Sequence, residues 1–146
     1  MEKFLKIILP RKILKQIEAY GERSYPEEGA GLMLGREEGA SRTVDHLIFL
    51  DNAREDSARH NRYLITAEDM LKGEKEADKR DLSILGVFHS HPDHPNQPSD
   101  FDQEYAIPWY SYLITSVHQG QAGESRCWRL QDNRVGFDPE EIVLAD

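Results

Sequence analysis

One short run restricts this chain more than any other. In FHSHPDHPNQPSDFD, which spans 88–102, His89 and His91 stand two apart and Pro92, Pro95 and Pro98 follow at once. Proline lacks the N–H that helix interiors and inner strands need, so the segment after the histidines is expected to be a loop. The run before it, 82–88, is apolar and reads as a strand covered on both faces that ends at the histidine pair. In a strand, residues i and i+2 share a face, so both imidazoles project together. Ser99 stands where a helix N-cap belongs, and Asp102 lies one turn above it on the same side. Two imidazoles and one carboxylate gathered in this way suit a zinc ion whose fourth position stays open to water.

Each residue has a plainer reading. Ser99-x-x-Asp102 is also a capping box that starts a helix, and His89 alone could be a strand-end histidine bonded to backbone. The combined spacing, His-x-His and then Ser-x-x-Asp after seven further residues, argues for the metal site over the separate explanations.

In these residues the chain resembles the JAMM (MPN-plus) metalloproteases of the short bacterial type. Their pattern is an upstream Glu, then His-x-His-Pro, a Ser beyond it and an Asp three residues later. His89-Ser90-His91-Pro92 and Ser99-Asp100-Phe101-Asp102 fit it without gaps, and the stretch from Tyr25 to Gly35 is similar to the Glu segment. The resemblance implies that His89, His91 and Asp102 hold Zn2+. It also implies that Glu28 is the general base and that Ser99 donates a hydrogen bond to the oxyanion. Glu27 would point elsewhere in an extended segment, so Glu28 is preferred: it stands two before Ala30-Gly31, as the family's Glu does. Many bacterial members carry Cys where Ala30 stands. The implied substrate is a ubiquitin-like sulfur carrier protein, or its conjugate, cut by amide hydrolysis at the C-terminus. The implied fold is α/β (α+β), a central mixed sheet flanked by helices.

The rest of the chain agrees with that class. The apolar stretch 4–9 reads as a strand, and Pro10 opens a helix over 11–20 in which Ile13, Leu14, Ile17 and Tyr20 form one stripe. Gly21 is the expected stop. A strand at 31–35, a hairpin loop at 36–40 and a returning strand at 43–50 follow, then a charged loop over 51–61 and a short strand at 62–65. Thr66 caps a helix over 67–79 with Asp69 at N3, an outer helix with a narrow apolar stripe. Beyond the site, a helix is expected over 99–106, strands over 110–117 and 126–130 with a loop between, and a last edge strand or short helix in the tail. Helices interleaved with a sheet make an α/β or α+β domain. At 146 residues the chain is expected to form a single domain, 1–146.

A net charge of −9 argues against nucleic acid and anionic membranes as main partners. One cysteine, Cys127, allows no internal disulfide, points to a cytoplasmic protein, and is expected to be a buried inert thiol. The N-terminal apolar run is too short for a signal or a membrane span. A zinc deaminase needs Pro-Cys-x-x-Cys, which one cysteine cannot supply, and no His-Glu-x-x-His or Gly-x-Ser-x-Gly occurs. Asp93 and His94 resemble spare ligands but follow Pro92 in the loop, while Ser90 faces away from its two histidine neighbours. His46 and His60 have no partner at ligand spacing, and His118 lies at a strand end beyond the motif. The alternative to an enzyme is a non-catalytic scaffold of the same fold, a class that typically lacks ligands present here.

Overall fold

The computed structural model describes residues 5–50 and 65–146. The expected loop over 51–61, with His60, and nearly all of the expected strand at 62–65 lie outside the described residues. The elements run β1 (Lys6–Pro10), α1 (Arg11–Ser24), β2 (Ala30–Glu38), β3 (Ser41–Leu50), α2 (Ala67–Arg80), β4 (Ser83–Pro92), α3 (Asp100–Tyr105), β5 (Ser111–His118), β6 (Gln121–Leu130) and β7 (Phe137–Ala145).

The strands form a closed ring in the order β1-β3-β2-β4-β5-β6-β7. Pairing is antiparallel except for β1 with β3, β1 with β7, and β4 with β5. The tail is therefore not an edge strand: β7 pairs with β6 on one side and with β1 on the other, from Lys6↔Glu141 to Pro10↔Ala145. Its apolar run Ile142-Val143-Leu144 suits a strand, but nothing local says that its second neighbour is the first strand of the chain.

The mixed sheet has two apolar faces, each covered by a helix. Ile7, Leu9, Met33, Val44, Leu85, Phe88 and Leu113 pack with Ile17 of α1, while Leu32, Leu34, Ile84, Val87 and Tyr112 pack with Ala77 of α2. Met33 and its neighbours Leu32 and Leu34 take opposite faces, as strand alternation requires. Thr66 and Asp69 make the expected capping box on α2.

Several boundaries depart from the sequence reading: β2 runs on to Glu38 and β6 already begins at Gln121, because each pairs along that length with its antiparallel neighbour, and two more bear on the site. Helix α1 does not stop at Gly21 but runs to Ser24. Gly21 is buried because α1 crosses β4 and β5 there: a Cβ would lie 3.1 Å from Val117 Cγ2 and 3.3 Å from Ser90 Cβ. Strand β4 does not end at the histidine pair but takes in Pro92, expected in the loop, because His89, Ser90, His91 and Pro92 pair with 114–117 of the parallel β5. No helix among the described residues is long and apolar enough to cross a membrane.

Candidate metal centre

Strand alternation decides what each residue at the end of β4 faces. His89 and His91 continue the face of Val87, towards α3. Ser90 continues the face of Phe88, towards α1, where Gly21 leaves room for it. Ser90 is buried and joins the segment before β2 to β4 by two bonds: its Oγ accepts from Gly29 N–H at 2.8 Å, and its own N–H donates to the Gly29 carbonyl at 2.9 Å. This pair of bonds sets Glu28 beside the histidines.

Glu28, His89, His91 and Asp102 are all buried, at 5%, 2%, 5% and 6% exposure. Glu27 is only partly buried. Glu28 Oε1 lies 3.3 Å from His89 Nδ1. On the opposite ring edge, His89 Nε2 lies 3.8 Å from Asp102 Oδ1, and His91 Nε2 lies 3.1 Å from Asp102 Oδ2. The Pro95 carbonyl is 2.7 Å from His91 Nδ1. Glu28, His89 and His91 each present a ligand atom within 4.8 Å of the others.

These contacts make a chemical test of whether a cation fits. A carbonyl or carboxylate oxygen only accepts, so Pro95 and Glu28 each hold the hydrogen on Nδ1 of their histidine. In the neutral ring both Nε2 atoms then turn lone pairs towards the Asp102 carboxylate. Two lone pairs and an anion meeting out of water repel, and a cation among them removes the conflict. The donor set, two imidazole nitrogens and a carboxylate, is the zinc type. Protons can play the same part in its absence. Burial pushes the His91 pKa down, but the hydrogen bond and charge of Asp102, with the Pro95 carbonyl and Glu28, outweigh it and leave it raised. Burial pushes Asp102 up, yet His89, His91 and the Ser99 amide hold it well below the usual carboxylate range.

The capping box and the cluster prove to be one structure. Ser99 is the N-cap of α3; its Oγ accepts from Asp102 N–H at 3.1 Å, and Asp102 Oδ2 accepts from Ser99 N–H at 2.8 Å. The same Oδ2 faces His91. The cap bonds therefore fix the carboxylate that the histidines meet.

The loop after β4 is fastened at several points. Asp93 is not a further member of the cluster: its carboxylate accepts from Tyr25 O–H at 2.6 Å and from Gln119 N–H at 2.8 Å. His118 approaches the same carboxylate at 3.5 Å in an exposed position, and His94 is exposed. Asn96 is held by its carbonyl accepting from Trp128 Nε1–H at 3.0 Å and by Nδ2 donating to the Glu124 carbonyl at 3.0 Å. Sequence reasoning missed the Tyr25–Asp93 and Trp128–Asn96 bonds. The partners are far apart in the chain, so no spacing could have signalled them. Cys127 is buried, as expected, and burial, with Glu140 beside it, pushes its thiol pKa well up.

Comparison with known proteins gives the family. The chain is 35% identical over 110 residues to a probable TtuB-protein conjugate cleaving protease of Thermus thermophilus, covering 75% of this chain and 70% of that one. It is 28% identical over 141 residues to a desampylase of Pyrococcus furiosus, covering 96% and 92%. A JAB1/MPN domain protein from Archaeoglobus fulgidus shares the fold, with a TM-score of 0.60 at 20% identity over 97% of each chain. The model of the prokaryotic homologs of the JAB domain matches residues 10–131, most of the molecule and all of the buried centre, and the chain belongs to that family.

Proposed function

We propose that the chain, as one domain over 1–146, is a zinc-dependent isopeptidase that hydrolyses the amide bond at the C-terminus of a ubiquitin-like protein, with a sulfur carrier protein or its conjugate as substrate in the cytoplasm. The observation that carries this reading is the convergence of Glu28, His89, His91 and Asp102 in one buried pocket. Hydrolase chemistry follows the family, and its relatives here are named as a conjugate cleaving protease and a desampylase. The substrate class rests on those names; the sulfur carrier rests on likeness to short bacterial members.

His89, His91 and Asp102 are the residues to hold the zinc, which supplies an activated water and polarises the carbonyl under attack. Pro95 orients the His91 ring and Asp102 is held by the α3 cap, so neither ligand has to be reorganised during turnover. Glu28, whose carboxylate is buried in the same cluster, is the group to take a proton from the nucleophile and return it to the leaving amine. Ser99 Oγ uses a lone pair on the Asp102 amide, which leaves its O–H to donate to the oxyanion.

The test is mass-spectrometric. A ubiquitin-like carrier joined through its C-terminal Gly-Gly to an amine is incubated with the protein, with and without a chelator. Cleavage should be lost with the chelator and restored by zinc at about one ion per chain. Glu28→Gln should retain the zinc and lose about a hundredfold or more in rate. Near-normal cleavage by that variant would turn attention to Glu27, and a protein that neither holds zinc nor cleaves would be a scaffold.

A further inference from the structure

One face of α1 departs from the acidity of the rest of the chain. Lys12 is followed at three and four residues by Lys15 and Gln16, these in turn by Ala19, and Ala19 at four by Arg23, so the five share one side of the helix. Together with Phe49 of β3 they line a groove of about 600 Å³. Among the described residues, this lining holds three cations and no carboxylate, on a chain of net charge −9. None of the three cations is in an ion pair among the described residues. Glu22, two turns along α1 from Lys15, is engaged by Ala122 N–H, from which it accepts at 2.8 Å, and Glu18 flanks Lys15 from the next turn without an ion pair among the described residues.

The groove is also partly aromatic. Phe49 is 42% exposed, and its ring lies 4.9 Å from that of Tyr20 and 5.7 Å from that of Phe88. The Arg23 guanidinium sits 5.6 Å from the centre of the Tyr20 ring. Phe88 directly precedes His89 but faces α1 where His89 faces α3, so the groove and the buried centre lie on opposite faces of β4.

We propose that this groove docks an acidic segment carrying apolar side chains, supplied by the ubiquitin-like protein whose C-terminus is cut; the choice of partner rests on the function proposed above. Like charges in a row repel one another, and an anionic segment turns that repulsion into attraction while an apolar side chain covers Phe49. Contact at this distance from the chemistry steers and holds the substrate without touching the reacting bond.

The experiment reads binding alone, in the Glu28→Gln background. A fluorescein-labelled twelve-residue peptide alternating Glu and Leu is titrated by anisotropy, with a Lys and Leu peptide as the opposite charge. The acidic peptide should bind, more weakly as salt rises, and lose about tenfold in affinity in Lys15→Glu/Arg23→Glu. The same charge change on α2, Lys72→Glu/Lys79→Glu, should leave binding unaltered, and melting curves should show both pairs folded. Equal loss in the two variants, equal binding of the basic peptide, or undiminished binding in Lys15→Glu/Arg23→Glu would overturn the proposal. So would concentration-dependent self-association that Lys15→Glu/Arg23→Glu abolishes, which would give the groove to a second copy. Docking without hydrolysis would sink the proposed function and leave the groove; hydrolysis without docking would do the reverse.

Discussion

At the scale of single residues, Ser99 and Asp102 matter most because one capping box joins the start of α3 to the buried cluster. The serine caps α3, and the aspartate both completes the cap and meets the histidines. Ser99→Gly separates these parts, since glycine at an N-cap costs helices only a few tenths of a kcal/mol but has no O–H to donate. The melting temperature should move little, while kcat falls about a hundredfold, the loss expected for one oxyanion donor. A glycine variant that turns over normally would leave Ser99 as a cap and nothing more. The choice between Glu27 and Glu28 belongs to this scale too. The two are adjacent and chemically alike, and what sets them apart is that the neighbouring Gly29 is bonded to Ser90 and Glu28 is buried beside His89.

At the scale of elements, close approach decides more than local preference. Helix α1 passes its glycine because β4 and β5 lie against it, and β4 extends to Pro92 because β5 supplies partners along that length. Gly86 marks a closer approach than Gly21. A Cβ there would lie 1.8 Å from the Ser111 carbonyl oxygen, a backbone atom that cannot turn aside. Gly86→Ala should therefore destabilise the protein by about 3 kcal/mol or more, read as a lower urea midpoint, and should weaken zinc retention because β4 carries both histidines. An alanine variant as stable as the parent would show that β4 and β5 can part without cost. Arg42 also works between elements. It is fully buried, donates from Nε to Glu37 Oε2 at 2.7 Å and from Nη1 to Ser111 Oγ at 2.8 Å and the Leu85 carbonyl at 3.1 Å, and so ties β3 to β2, β4 and β5. Nothing in its sequence neighbourhood distinguishes it from a surface arginine.

At the scale of the whole molecule, β7 closes the ring. Removing 137–146 would leave β1 and β6 each with an unpaired edge, the usual template for association between chains. The truncated chain is expected to lose cooperative unfolding and to elute as oligomers in gel filtration; a monomeric truncation with a sharp transition would make β7 accessory. The amino-acid order alone determined those features that depend on near neighbours. The spacing of His89 and His91, the cap and carboxylate of Ser99 and Asp102, the Thr66 capping box and the apolar stripe of α1 are written over a few residues, where helix and strand periods set which side chains share a face. The tertiary structure alone decided the closure by β7, the Tyr25–Asp93 bond and the burial of Arg42. Each of these joins segments distant in the chain, and such contacts depend on how the layers pack together, which no local period encodes.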